Sequence, residues 1–129
     1  MKINSIVSEY IVDDVEETLH FYATLLGFKV VASEGAHDHL TWALLRNGSF
    51  RLSFKSLEKV NKEVPFIQDF PIGGTVSMVL QVSDIQLAYK EIKAKCELLN
   101  HPHLTACGMT EFSVKDPNGY FLTFEQPMN

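Results

Sequence analysis

Apolar and polar positions follow two rhythms along this chain, and the sequence of rhythms comes round twice. Residues 4–12 (NSIVSEYIV) are rich in β-branched and aromatic side chains and predict a strand. Asp13 and Asp14 follow as N-cap candidates, with Glu16 and Glu17 three residues on, the spacing of a capping box. Val15, Leu19, Tyr22, Leu25 and Leu26 recur at helical spacing, and Gly27 supplies a stop. Residues 28–33 predict a second strand and 33–39 a polar loop. Two more strands flank Asn47-Gly48, a strong hairpin signal. Residues 57–74 carry charges, two prolines and Gly73-Gly74, and read as a linker.

The second half runs through the same order. Residues 75–82 predict a strand. Ser83 or Asp84 caps a helix reaching to about Cys96, with Ile85, Ala88, Tyr89 and Ile92 on one face. Residues 97–104 begin as a strand and break at Pro102. A final hairpin, 109–115 with 120–126, turns at Pro117-Asn118-Gly119. Val82 and Asp84 stand 70 positions after Val12 and Asp14, and FLTF at 121–124 stands 70 after RLSF at 51–54. A spacing met only twice means a duplicated module, not a solenoid. The expected fold is α+β: a βαβββ module at about 1–56, a linker at about 57–74 and a second module at about 75–129.

With 46% apolar residues among 129, one compact domain can bury a core. The net charge of −5 argues against nucleic acid, which needs a basic face. The opening residues show no apolar signal core, and no apolar run is long enough to span a bilayer. Cys96 and Cys107 lack metal-type spacing. Free thiols in a cytoplasmic protein, with no membrane or nucleic-acid partner, are therefore expected.

Val12-Asp13-Asp14-Val15, then Phe21-Tyr22 and Leu26-Gly27-Phe28, and finally Asp116-Pro117-Asn118-Gly119 before the last strand, resemble the vicinal oxygen chelate superfamily. That group includes glyoxalase I, bleomycin-resistance proteins, fosfomycin-resistance enzymes and extradiol dioxygenases. The resemblance covers nearly the whole chain. It implies half-barrels curled around a cavity, and frequently a homodimer. Metal-dependent members place histidine or glutamate at four inward strand positions, which here carry Val7, Ser53, Ser77 and Thr123. None is an imidazole or a carboxylate, the donors a divalent ion needs. No metal and no cofactor are expected there.

Strand alternation assigns the remaining faces. Val7, Glu9 and Ile11 face the cavity in the first module; Ser77, Val79 and Gln81 do so in the second. A two-residue Asn47-Gly48 turn would pair Leu44 with Arg51 and Trp42 with Ser53, placing Trp42, Arg51 and Ser53 on one face. A three-residue turn in the last hairpin pairs Ser113 with Thr123 and Glu111 with Glu125, leaving Phe112, Val114, Leu122 and Phe124 for the helix. The expected ligand-binding residues are Val7, Glu9, Trp42, Arg51, Ser53, Ser77, Gln81, Glu111, Phe121, Thr123 and Glu125. An aromatic wall with a few polar groups suits a small molecule, and three carboxylates favour a cation. His37 with His39, and His101 with His103, alternate as two-imidazole sets in polar segments. His20 reads as a surface residue.

The expected function is metal-independent binding of a small organic molecule, a cation being favoured, similar to drug sequestration by bleomycin-resistance proteins. Two alternatives stand beside it. One is a lyase, isomerase or dioxygenase with a displaced metal site or a Glu9/Glu111 acid–base pair. The other is a metabolite-sensing module.

Overall fold

The computed structural model describes residues 1–64, 71–73 and 75–128. Strand β1 (Ser8–Val12) lies parallel to β4 (Phe50–Ser56), with Glu9 beside Ser53 and Tyr10 beside Phe54. Between them run helix α1 (Val15–Leu26) and strands β2 (Lys29–Ala36) and β3 (His39–Asn47), giving a sheet in the order β1-β4-β3-β2. Helix α2 (Leu57–Glu63) follows β4, and the first compact unit is Met1–Pro71.

Local chemistry explains these elements. Asp14 caps α1 by accepting from the Glu17 amide at 2.9 Å. Thr18, fully buried, satisfies its hydroxyl on the Asp14 carbonyl at 2.8 Å. Gly27 ends the helix at φ 71°, a left-handed conformation that costs glycine little. The helix then packs Val15, Phe21 and Tyr22 onto the sheet face that carries Val12, Ala43 and Phe54. Tyr22 and Phe54 have ring centroids 4.8 Å apart and are fully buried. Each such side chain contributes about 1.5–3 kcal/mol by leaving water.

The second unit, Ile72–Asn129, repeats the plan. Strands β5 (Ser77–Gln81), β6 (His103–Leu104), β7 (Met109–Lys115) and β8 (Phe121–Pro127) form a sheet ordered β5-β8-β7-β6, and helix α3 (Ile85–Ile92) follows β5. Val79 lies beside Thr123 in the parallel β5–β8 pair, the same register as Glu9 beside Ser53. Asp84, not Ser83, caps α3, accepting from the Leu87 amide at 3.0 Å. Phe112 stacks on Phe124 at 5.0 Å and receives the edge of Tyr89 at 5.3 Å. Asp116 is buried, yet its Oδ1 accepts from the Asn118 and Tyr120 amides at 2.8 and 2.9 Å. Those bonds offset the cost of burying a carboxylate and set the last hairpin.

Several expectations are corrected. The first strand begins at Ser8, not residue 4. Residues 33–36 are strand, not loop, because the edge strand β2 keeps pairing with β3 across two irregularities in register. The first hairpin turns at Gly48-Ser49, so Trp42 pairs with Lys55 and Leu44 with Ser53. Asn47 is withdrawn from the turn because its side chain donates to the Leu26 carbonyl at 2.8 Å, closing α1. The expected linker opens with α2, whose cap is Ser56; its residues 65–70 and 74 lie outside the described residues. Helix α3 stops at Ile92, before Cys96. Strand β6 lies after Pro102 rather than before it, although Leu99 N also donates to Ser113 O at 2.9 Å. No described helix is long and apolar enough to cross a membrane.

Candidate functional site

Two sheet faces carry the candidate residues, one in each unit. On the first, alternation puts Glu9, Trp42 and Ser53 on the face opposite α1. Their side chains meet. The Ser53 hydroxyl donates to Glu9 Oε1 at 2.8 Å. The Trp42 indole N–H points at Glu9 Oε1 at 3.2 Å and at Ser53 Oγ at 3.0 Å. Ser53 is buried, Trp42 half-buried, and the Glu9 side chain is 42% exposed. The indole is thus fixed at its one polar atom while the carboxylate stays open to water.

Lys55, directly opposite Trp42, continues this face. Its Nζ lies 3.8 Å from Glu9 Oε2 and 3.2 Å from Glu63 Oε2 on α2. Glu34 on β2 also stands opposite Trp42, from the other side, and is ion-paired with Lys59 of α2. That hydrogen bond holds the Glu34 carboxyl below its ordinary value and the Lys59 ammonium above its own. Helix α2 therefore sends Lys59 and Glu63 to the Trp42 face. Arg51 shares the face but is exposed and pairs with Arg46, away from the Glu9 cluster. Val7 is half-buried just ahead of β1.

On the second unit's sheet, Glu111 and Glu125 are direct cross-strand partners. Gln81 Nε2 donates to Glu125 Oε1 at 3.1 Å, and His103 Nε2 lies 3.8 Å from Glu111 Oε1. Ser113 and Thr123 share a hydroxyl–hydroxyl bond of 2.8 Å. Phe121, half-buried, lies beside the exposed Ser77. The expected histidine sets are dispersed. His39 bonds Glu58 at 2.8 Å, and His101 Nδ1 meets the Tyr89 hydroxyl at 2.7 Å. His103 Nδ1 donates to the His101 carbonyl at 2.8 Å, while His37 and His20 are exposed.

Residues 2–124, nearly the whole chain, match the family described as Glyoxalase/Bleomycin resistance protein/Dioxygenase superfamily. The chain belongs to this superfamily. A glyoxalase/bleomycin resistance protein/dioxygenase from Nocardioides superposes with a TM-score of 0.82 at 18% identity, covering 100% of this chain and 86% of that one. A protein of unknown function from Agrobacterium tumefaciens gives 0.80 at 17%, covering 99% and 97%. TioX from Micromonospora gives 0.74 at 14%, covering 98% and 100%. At such identities these likenesses establish the fold alone. No curated protein matches the chain.

Metal-dependent relatives within the glyoxalase superfamily imply a divalent ion, so its four expected positions can be tested here. Ser53 spends its hydroxyl on Glu9, and Thr123 shares its own with Ser113. Val7 offers no donor atom and Ser77 only a neutral hydroxyl. Among the described residues, no group of three or more histidine, cysteine, aspartate or glutamate side chains could hold an ion. The residues at those positions do not fit a divalent cation.

Lys55 is one site residue that the sequence reading missed. Alternation from Ser53 places it on the same face two residues on, so the signal was present. Glu34, Lys59 and Glu63 carried no such signal, because they join the face only once β2 is extended and α2 has folded.

Proposed function

We propose that this superfamily member binds a small organic cation bearing an aromatic ring, without a metal ion, and sequesters it as a bleomycin-resistance-like protein would. The observation that carries this reading is the Trp42 indole held by Glu9 and Ser53 at 3.2 and 3.0 Å. A ring already fixed in place loses little rotamer freedom on binding, so more of the contact energy is kept as affinity. Its face can stack on a ligand's aromatic ring, and the exposed Glu9 carboxylate at its N–H edge can take the ligand's cationic group. Like charges placed directly opposite one another, as Glu111 and Glu125 are, also favour a cationic partner.

Sequestration asks for tight binding and no transition-state chemistry. The reading includes a role in antibiotic resistance and a homodimer in the cytoplasm. The free thiols Cys96 and Cys107 support a reducing compartment. Edge strand β2, exposed along its whole length with Val30 and Val31 at 48% and 50%, supports assembly through a second copy.

The single tryptophan is the reporter. Chelator-treated protein titrated with aromatic amines and bleomycin-type drugs should show saturable quenching of Trp42. A flat response across that panel, or binding only after a divalent metal is restored, would sink the reading.

A further inference from the structure

We propose that Lys55 is the protein's own stand-in for the ligand's cationic group, and that Glu63 draws it away from Glu9 to admit that group. This deepens the reading of the Trp42 face as a cation site and rests on it. Lys55 Nζ lies 3.2 Å from Glu63 and 3.8 Å from Glu9. A charge-assisted N–H···O bond measures about 2.7–2.9 Å, so Glu9 is neutralised from a distance while α2 holds the lysine. Among the described residues, three carboxylates here, Glu9, Glu34 and Glu63, face two ammoniums. Lys59 is bonded to Glu34 and only attracted to Glu63 and Glu9 from further off. Lys55 is therefore the ammonium that Glu9 and Glu63 share at ion-pair distance.

An incoming ammonium that takes Glu9 restores the balance and leaves Lys55 wholly to Glu63. Because Glu9 also accepts from the Trp42 indole, that ammonium would sit beside the ring. The ligand class is therefore an aromatic amine, with its charge a few bonds from its ring. Lys55 competes with such a ligand, and Glu63 reduces the competition. Glu63 is a specificity-determining residue that need not touch the ligand.

The test is a double-mutant cycle read by Trp42 fluorescence with phenethylammonium and its neutral counterpart 2-phenylethanol. Glu63→Gln should return Lys55 to Glu9 and weaken phenethylammonium binding about three- to tenfold, a coupling of ordinary size for neighbouring charges. Lys55→Gln should strengthen it, and in that background Glu63→Gln should have no further effect. The affinity for 2-phenylethanol should not move. Equal shifts for both probes, or independent effects of the two substitutions, would overturn the proposal. The indole N–H resonance of Trp42 gives a ligand-free reading: Glu63→Gln should shift it, and adding Lys55→Gln should cancel that part of the shift. If neither probe binds the wild-type protein and the wider panel is flat as well, the cation-site reading fails. A resonance unmoved by Glu63→Gln would then show separately that Lys55 is not shared.

Discussion

Ser53 on β4 donates its hydroxyl to the Glu9 carboxylate on β1, 2.8 Å across the parallel strand pair. The same hydroxyl oxygen lies 3.0 Å from the Trp42 indole nitrogen, so one small side chain links the carboxylate to the ring. Removing it should loosen both. Ser53→Ala is expected to cost about 0.5–1.5 kcal/mol of stability, the net worth of an ordinary hydrogen bond, because Glu9 and Trp42 still keep each other. Its effect on phenethylammonium binding should exceed its effect on stability, since the ring loses its second anchor. Urea denaturation and fluorescence titration of the same variant measure the two quantities. Unchanged binding would remove Ser53 from the site.

The ion pair between His39 and Glu58 should make the attachment of α2 depend on pH. His39 Nε2 lies 2.8 Å from Glu58 Oε2, and Lys62 also approaches Glu58, at 3.5 Å. The hydrogen bond to Glu58, aided by Glu16 and Asp38, holds His39 above its ordinary 6.5. The hydrogen bond from His39, then Lys62, holds Glu58 below its ordinary 4.5. A raised histidine contributes fully below its unfolded value and loses that contribution as pH rises through the folded one. A lowered carboxylate contributes above its unfolded value and loses it as pH falls. The pair is therefore worth most between about pH 4.5 and 6.5. The gap in melting temperature between wild type and His39→Gln should be widest there and close toward pH 8. A gap that stays constant from pH 5 to 8 would refute the assignment.

The repeat made the backbone of this fold legible. The β1–β4 and β5–β8 registers follow the 70-residue offset, and the second hairpin pairs as its three-residue turn requires. Where the sequence misled, a distant contact had overridden a local preference. Asn47-Gly48 is a favoured turn in isolation, but Asn47 is diverted to the end of α1, and the turn slides one residue to Gly48-Ser49. The slip changes the partner of Trp42 but not its face, because two places of register preserve alternation. Residues 57–63 read as linker because they are mostly polar; only Val60 is buried, and ion pairs to His39, Glu34 and Lys55 help hold the helix. Polarity in residues 33–36 read as loop, yet an exposed edge strand needs no apolar face.

The two thiols should separate kinetically. Burial pushes the Cys96 thiol up, and its Sγ lies 3.6 Å from the Ile92 carbonyl, whereas Cys107 is exposed. The thiolate is the reactive form, so Cys96 has both less of it and less access. Labelling with an aromatic disulfide reagent near pH 8 should show one fast and one slow equivalent, and Cys107→Ser should abolish the fast phase. A single phase of two equivalents would contradict the partial burial of Cys96.

Gly73 fixes how the chain enters the second unit. It is buried at φ 85°, and a Cβ there would lie 2.4 Å from the Asn118 carbonyl oxygen and 2.9 Å from the Gly119 carbonyl carbon. Both contacts are backbone, and they belong to the Pro117-Asn118-Gly119 turn that feeds β8 with Thr123 and Glu125. Gly108 has a similar φ of 80° but open space where its Cβ would go. The two positions therefore separate backbone strain from steric exclusion. Gly108→Ala should cost about 1–2 kcal/mol, the penalty of a left-handed alanine. Gly73→Ala should cost that and about 1–3 kcal/mol more for overpacking against the turn. It should also disturb the amide resonances of Asn118 and Tyr120, whose bonds to Asp116 hold the hairpin. Equal costs at the two glycines would mean that the chain at Gly73 yields without moving the turn, and that the Asp116 bonds alone hold the start of β8 in place.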